Sequence, residues 1–363
     1  MIKSWDYIKY YKIHKNKILQ IINKVFLSGK LILGPELEKF EKNFSKFIGT
    51  KYAVGVGNCT DAIYISLKAL NLKKNSEVIT VSNTAIPTIT AIVNAGAVPR
   101  FVDVNEFYLM DVNKIEKLIN KKTKVIIPVH LYGQVCEMKK IIQLAKKYNL
   151  KIIEDCAQAT GAKQNTKKAG SFGDTGCFSF YPTKVLGAFG DGGMITTNNY
   201  KLYKKILKIR YMGIESKNYY ASINGTNSRL DEIQAAILDY KLKDLEKNIL
   251  KRNKIARIYN YNLKNTDLIL PKISKNNSHS YYEYVVSYKK RNFLMKELKR
   301  RKIFTKITYP FPVHNMKPYL QYYKNENLDN TISFSKKIFS LPIYPELSMS
   351  QVNKIIFNIK KIL

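Results

Sequence analysis

The chain is poor in acid. Its 363 residues carry 62 lysines and arginines against 27 aspartates and glutamates, a formal net charge of +35. So basic a balance can serve a nucleic acid, an anionic surface or an anionic substrate. The lysines, however, are spread along the whole length among asparagines and isoleucines, with no dense basic block or arm. That is the pattern of solvated faces, and the expectation is no nucleic-acid partner. Cysteine is scarce too: Cys59, Cys136, Cys156 and Cys177 show no CxxC spacing and no adjacent histidine. Neither a disulfide framework nor a metal site follows, and the four read as small buried residues in a reducing cytoplasm. No internal repeat or low-complexity segment is present. Met1 to Asp6 opens amphipathic, without the apolar length needed for export or a membrane span, so the expectation is a cytoplasmic protein with no membrane insertion.

What is present is an ordinary globular composition, 45% hydrophobic and 25% charged. The length suits two domains, or one large domain with an appendage. Among many lysines, Lys184 stands apart. It ends the stretch Cys177-Phe178-Ser179-Phe180-Tyr181-Pro182-Thr183-Lys184, where an apolar run reads as a buried strand and Pro182 turns the chain. The glycine-rich run Gly187 to Gly193 follows and permits close backbone approach. A lysine fixed in an apolar cleft can lose its proton and attack a carbonyl. A surface lysine in a loop fits the same octapeptide.

Upstream, helical patterning runs from about Lys15 to Phe47, broken at Ser28-Gly29-Lys30 and at Gly34-Pro35. Tyr52 to Val56 then reads as a buried strand running into Gly57-Asn58-Cys59-Thr60-Asp61 and a helix. A strand, a glycine turn and a helix N-terminus make an anion site, because free N–H groups and the helix dipole converge there. A plain Asn/Thr/Asp helix cap is the alternative. The dinucleotide fingerprint fails: Gly55 and Gly57 lack a third glycine, and Glu77 begins the next strand where an acid should end it.

Strands and helices then alternate: Glu77–Ser82, a helix after Pro87, Arg100–Val104, a helix after Asp111, Lys124–His130, a helix around Met138–Tyr148, and Lys151–Cys156. The reading is an α/β fold with a mainly parallel sheet flanked by helices, and ligands beyond the carboxyl ends of the strands. Asp155 closes an apolar strand and needs a positive or proton-donating partner. A lysine for an aldehyde, a carboxylate for a ring nitrogen and a phosphate cup are together what pyridoxal phosphate requires. Gln158 could hold the ring hydroxyl and Ser179 could add to the cup. Further on, long helical patterning from Asp231 to about Tyr261 kinks near Asn248. The domains read as 15–247, binding the cofactor, and 248–363, a smaller C-terminal α/β unit with the first N-terminal residues packed on it.

These motifs resemble the DegT/DnrJ-type nucleotide-sugar aminotransferases, over nearly the whole chain: Ser28-Gly29 to Gly34-Pro35, Gly57 to Ala62, Pro128 to Gly133, Glu154 to Ala162, Gly170 to Gly193 and Gly225 to Ala236. The resemblance implies an aspartate-aminotransferase-like fold and a homodimer with shared active sites. It implies that Lys184 carries the pyridoxal phosphate and shuttles the proton, that Asp155 pairs with the pyridine nitrogen and that Gln158 holds the ring hydroxyl. Thr60, the backbone at Cys59, and Ser179 would bind the phosphate, with Asn227 reaching the partner's. Family members of the dehydratase branch carry histidine where this chain has Lys184. Val81 to Thr88 is similar to the branch that aminates carbon 3 of dTDP-linked 3-keto-6-deoxyhexoses, with L-glutamate as donor, for surface glycans such as O-antigen. In that branch Tyr181 and His314 would lie near the hexose and Lys217 would meet the pyrophosphate. Ala85 stands where some relatives place an aromatic ring against the cofactor. Two other readings stay open: a sugar 4-aminotransferase acting on a UDP- or dTDP-4-keto-6-deoxyhexose, and a regulator that binds the cofactor without catalysis.

Overall fold

The structure, a computed structural model, describes residues 1–215 and 219–363. Helix α1 (Tyr7–Leu27) runs to Ser28 and stops at Gly29, whose φ of 66° breaks the helical path. Helix α2 (Pro35–Ile48) begins with proline at its first turn and ends on left-handed Gly49, whose N–H reaches Ser45 O at 2.9 Å. Its free N-terminal amides are met from a distance. The buried carboxylate of Glu232 accepts from Gly34 N (2.8 Å), Glu36 N (2.8 Å) and Leu37 N (3.0 Å).

The central sheet has seven strands. They are β1 (Tyr52–Val56), β2 (Glu77–Val81), β3 (Val98–Val102), β4 (Thr123–Ile126), β5 (Lys151–Asp155), β8 (Thr175–Ser179) and β9 (Gly193–Thr197), with the short β6 (Lys163–Gln164) and β7 (Lys167–Lys168) forming a hairpin outside it. The order is β1-β9-β8-β5-β4-β2-β3; β3, β2, β4, β5 and β8 pair in parallel, and β9 runs antiparallel between β8 and β1. The mainly parallel expectation holds. The reason is visible in the strand sequences, which are apolar on both faces. Ile79, Ile126, Ile152 and Phe178 pack on one side with Phe40 and Phe44 of α2. Their immediate neighbours Val78, Val125, Ile153 and Cys177 pack on the other with Ile63 and Leu67.

Three local expectations shift. Strand β4 covers only Thr123–Ile126, because Pro128 has no N–H to give the ladder; Val129 regains a single bridge to Asp155. The helix after Asp111 is one turn, Val112–Ile115, continued as a 3-10 turn. The break in the long helical stretch falls at Lys243–Asp244, between helices Glu232–Leu242 and Leu245–Leu263, and no glycine or proline marks it.

A third core joins Ile2 to Ile255, Tyr259, Leu294, Phe339 and Ile355. It is built on the antiparallel pair β11 (Tyr284–Ser287) and β12 (Ile338–Leu341); the short β10 (Asn277–Ser278) pairs back to β6. All four cysteines are buried and unpaired. Among the described residues, no helix is long and apolar enough to cross a membrane.

Candidate active site

Strand register brings the polar residues together. Val56 pairs with Gly193, and Gly193 pairs with Ser179, so the turn after β1 and the end of β8 lie two strand spacings apart, roughly 10 Å. Gly193 has no room for a side chain: a Cβ there would lie 2.5 Å from the carbonyl carbon of Asn58. That contact seats the N-terminus of helix α3 (Cys59–Ala69) against the sheet. Asn58 caps the helix, its Oδ1 accepting from Asp61 N at 2.9 Å. Ser228 braces the turn from outside, accepting from Gly57 N (2.9 Å) and donating to Asp61 Oδ2 (2.6 Å). The cap and the anion cup are therefore not alternatives. Asn58 satisfies Asp61 N, and the amides of Cys59 and Thr60 remain for a ligand. Ser179 is buried and accepts from Tyr181 N at 3.3 Å, leaving its hydroxyl proton free to donate.

Asp155 ends β5 at 4% exposure. Its Oδ2 accepts from Thr88 Oγ1 at 2.8 Å and its Oδ1 from Ala157 N at 3.1 Å. Thr88 also meets Thr84 Oγ1 at 3.0 Å. Burial pushes the Asp155 carboxyl above its ordinary value, with the Thr88 and Ala157 hydrogen bonds and the charge of Lys184 acting against it. A buried carboxylate so held is a partner for a cationic N–H.

Gln158 is held at both ends. Its Oε1 accepts from Tyr132 N (2.7 Å), and its Nε2 donates to Tyr309 Oη (2.7 Å), leaving the second amide proton free. Tyr132 is buried with φ of 59°, a left-handed conformation that this non-glycine residue adopts beside the site. Asn83, buried in the loop after β2, has an Nδ2 without a hydrogen-bond partner among the described residues. The chemistry of this set fits pyridoxal phosphate: a helix N-terminus with a serine, an unsalted buried carboxylate, an amide with a spare proton, and a lysine.

Lys184 lies on the turn closed by Lys184 N–H donating to Tyr181 O at 2.9 Å. Its Nζ sits 4.6 Å from the centre of the Tyr282 ring, and Tyr282 Oη is 3.1 Å from Thr183 Oγ1. Tyr181 is 53% exposed at the mouth of this turn. His314 is in a different setting: it is 1% exposed, and its Nδ1 is 2.7 Å from Ser82 Oγ. Burial lowers its imidazole below the usual range. Asn227 is exposed, beside the Ser228 brace. Lys217 lies outside the described residues.

Sequence reasoning missed Thr88, Tyr132, Tyr282 and Tyr309 as supports of these groups. Thr88 and Tyr132 fall inside stretches that stood out, but nothing in the pattern aimed Tyr282 or Tyr309 at them. His130, Glu154 and Cys156 also place their ligand atoms within 4.8 Å of one another. Glu154 is spent on structure: it accepts from Gly170 N, Phe172 N, Gly173 N and His130 Nε2.

A mainly parallel α/β sheet with a lysine, a buried aspartate and a phosphate-ready helix end at its strand termini defines a pyridoxal-phosphate-dependent aminotransferase. The chain belongs to the DegT/DnrJ/EryC1/StrS aminotransferase family, whose model matches residues 12–360. It is 40% identical to dTDP-3-amino-3,4,6-trideoxy-alpha-D-glucose transaminase of Micromonospora megalomicea subsp. nigra, over 99% of this chain and 98% of that one. It is 42% identical to dTDP-3-amino-3,6-dideoxy-alpha-D-galactopyranose transaminase of Aneurinibacillus thermoaerophilus, over 94% of each. The crystal structure of S. venezuelae DesV superposes with a TM-score of 0.96 at 34% identity, covering 99% of this chain and 98% of that one.

Proposed function

We propose that this sugar aminotransferase moves an amino group from L-glutamate to carbon 3 of a dTDP-linked 3-keto-6-deoxyhexose, giving a dTDP-3-amino-3,6-dideoxyhexose. The observation that carries the reading is Lys184 held over Tyr282 beside the buried Asp155, in a chain that is 40% and 42% identical to two transaminases named for dTDP-3-amino sugars. Pyridoxal phosphate supplies the electron sink when bound. In this reading Asp155 keeps the ring nitrogen protonated, Gln158 gives its spare proton to the ring hydroxyl, and Thr60, Cys59 N–H and Ser179 hold the phosphate. Lys184 Nζ holds and moves the proton at the substrate carbon. Tyr181, exposed at the rim, would contact the hexose; Lys217 and His314 would complete the sugar side of the proposal, His314 through the Ser82 loop it is fastened to.

The enzyme is proposed to act as a cytoplasmic homodimer, each copy built of a cofactor-binding unit, 15–247, and a smaller C-terminal unit, 248–363, with the first N-terminal residues packed on the smaller one. Ile13, Leu19, Phe26 and Leu27 of α1 are exposed and apolar, which suits a face covered by a second copy. Asn227, exposed beside the α3 cap, would then meet the partner's phosphate cup. The product suits surface glycan synthesis.

The test loads the enzyme in its amino form and offers 3-keto and 4-keto nucleotide sugars separately. Return of the lysine-bound absorbance with a 3-keto dTDP sugar, and nitrogen at carbon 3 by NMR, is the expected result. Reaction with a 4-keto sugar alone refutes the position, and reaction with none supports a regulator.

A further inference from the structure

Two ammonium groups lie over one aromatic ring. Lys184 Nζ is 4.6 Å from the centre of the Tyr282 ring, and Lys306 Nζ is 5.9 Å from the same point. The two amines are therefore no farther apart than those two lengths laid end to end. Lys306 is fastened by its backbone: its N–H donates to Ser340 O at 3.2 Å and its carbonyl accepts from Ser340 N at 2.7 Å, which ties it to β12. Its side chain is aimed by Glu283, the residue after Tyr282, whose Oε1 accepts from Lys306 Nζ at 3.0 Å.

Glu283 is buried, and its other oxygen is already met by two hydroxyls, those of Thr308 and of Ser340, the latter at 2.7 Å. A carboxylate so supplied needs only one proton from the lysine. The ammonium group has three, and it makes no second hydrogen bond among the described residues. The Lys306 side chain is 43% exposed against 7% for Glu283, so the cation is open to a ligand where its counter-ion is not. Burial works against the charge, but Glu283 and the phenols of Tyr282 and Tyr181 outweigh it and hold the amine above its ordinary value, a cation at neutral pH. An oriented ammonium group with protons to spare, one ring away from Lys184, is a carboxylate-binding group.

Two anions come near Lys184 in the proposed reaction. The diphosphate of the nucleotide sugar is set off from carbon 3 by the hexose ring. A donor carboxylate sits on the amine-bearing carbon itself or a short methylene chain from it, which suits the limited separation of the two lysines. We infer that Lys306 binds a carboxylate of the amino donor, a small amino acid with two of them, and leaves the donor's nitrogen unheld and facing Lys184. Glu283 acts through Lys306 as a positioning residue. The assignment rests on the reading of L-glutamate as donor and adds the residue that recognises it.

The experiment compares the holoenzyme with its Lys306→Gln variant and with Lys306→Arg, which keeps the charge. L-Glutamate is titrated without sugar, following the cofactor absorbance; glutarate, a dicarboxylate with no nitrogen to react, and dTDP are each titrated by calorimetry. Lys306→Gln is expected to raise half-saturating glutamate and the glutarate Kd at least tenfold and to bind dTDP as wild type does, which also shows that it folds. Lys306→Arg is expected to recover most of both losses. Unchanged glutamate and glutarate binding in Lys306→Gln overturns the assignment, as does a loss confined to dTDP, which would place Lys306 on the nucleotide sugar. Equal loss of all three affinities marks a purely structural ion pair and overturns it as well. Each of these leaves the donor reading standing; if the wild-type enzyme takes no nitrogen from glutamate, the donor reading fails and the assignment falls with it.

Discussion

Thr88 Oγ1 donates to Asp155 Oδ2 at 2.8 Å, joining the first helix turn after β2 to the end of β5. This bond fixes the direction of a carboxylate that burial would otherwise leave protonated more readily. Replacing Thr88 by valine keeps the shape and removes the donor. A hydrogen bond to a charged group contributes about 1.5–3 kcal/mol, so kcat/KM should fall about 10- to 100-fold. Thr88→Ser should recover most of it, and steady-state kinetics on the pair would decide.

Asp155→Asn should abolish turnover and yet stabilise the cofactor-free protein at neutral pH. The folded carboxyl is raised above its ordinary value, so the folded state binds more protons than the unfolded one between those two values. Stability contributed by this group is therefore highest at low pH and is lost as pH rises through that window. The variant should melt higher than wild type near pH 7, with the gap closing below about pH 4. Thermal melts of both proteins across pH, without cofactor, measure it.

Lys184→Ala should lose the absorbance of the lysine-bound cofactor and at least about 10²–10⁴-fold in turnover, the range of a positioned general acid–base group. Amino exchange at the wild-type rate would remove Lys184 from the mechanism.

Gly193→Ala probes the phosphate cup without touching a proposed ligand. The new Cβ would lie 2.5 Å from the Asn58 carbonyl, which is backbone and must move, taking the α3 N-terminus with it. Cofactor affinity should drop at least about tenfold, equivalent to roughly 1.4 kcal/mol. Fluorescence titration with pyridoxal phosphate reads it directly.

Glu232→Gln tests the long-range cap of α2. Glutamine keeps one acceptor oxygen and places an NH₂ against amides that now face a carboxylate. Stability should fall by about 2 kcal/mol in urea unfolding, with the cofactor spectrum unchanged.

Much of this protein is determined by short-range pattern. Strands apolar on both faces require a sheet covered by helices on both sides, and Ile152-Ile153 ahead of Asp155 already sets a carboxylate at a buried strand end. The glycine turn before α3 and the turn at Lys184 were legible for the same reason: proline, glycine and capping residues act within a few positions. Lys184 itself became identifiable only through its combination with Asp155, Gln158 and Ser179.

Only the tertiary structure decided what surrounds those groups. Tyr309 reaches Gln158 from 151 residues away and Ser82 holds His314 across 232, distances over which no periodicity carries information. A cavity lined by Asp6, Arg252 and Glu346 draws on three separate segments of the chain, which packing and not local pattern brings to one place. Sequence periodicity says which side of an element is buried; which loops meet is settled by the closing of the whole core.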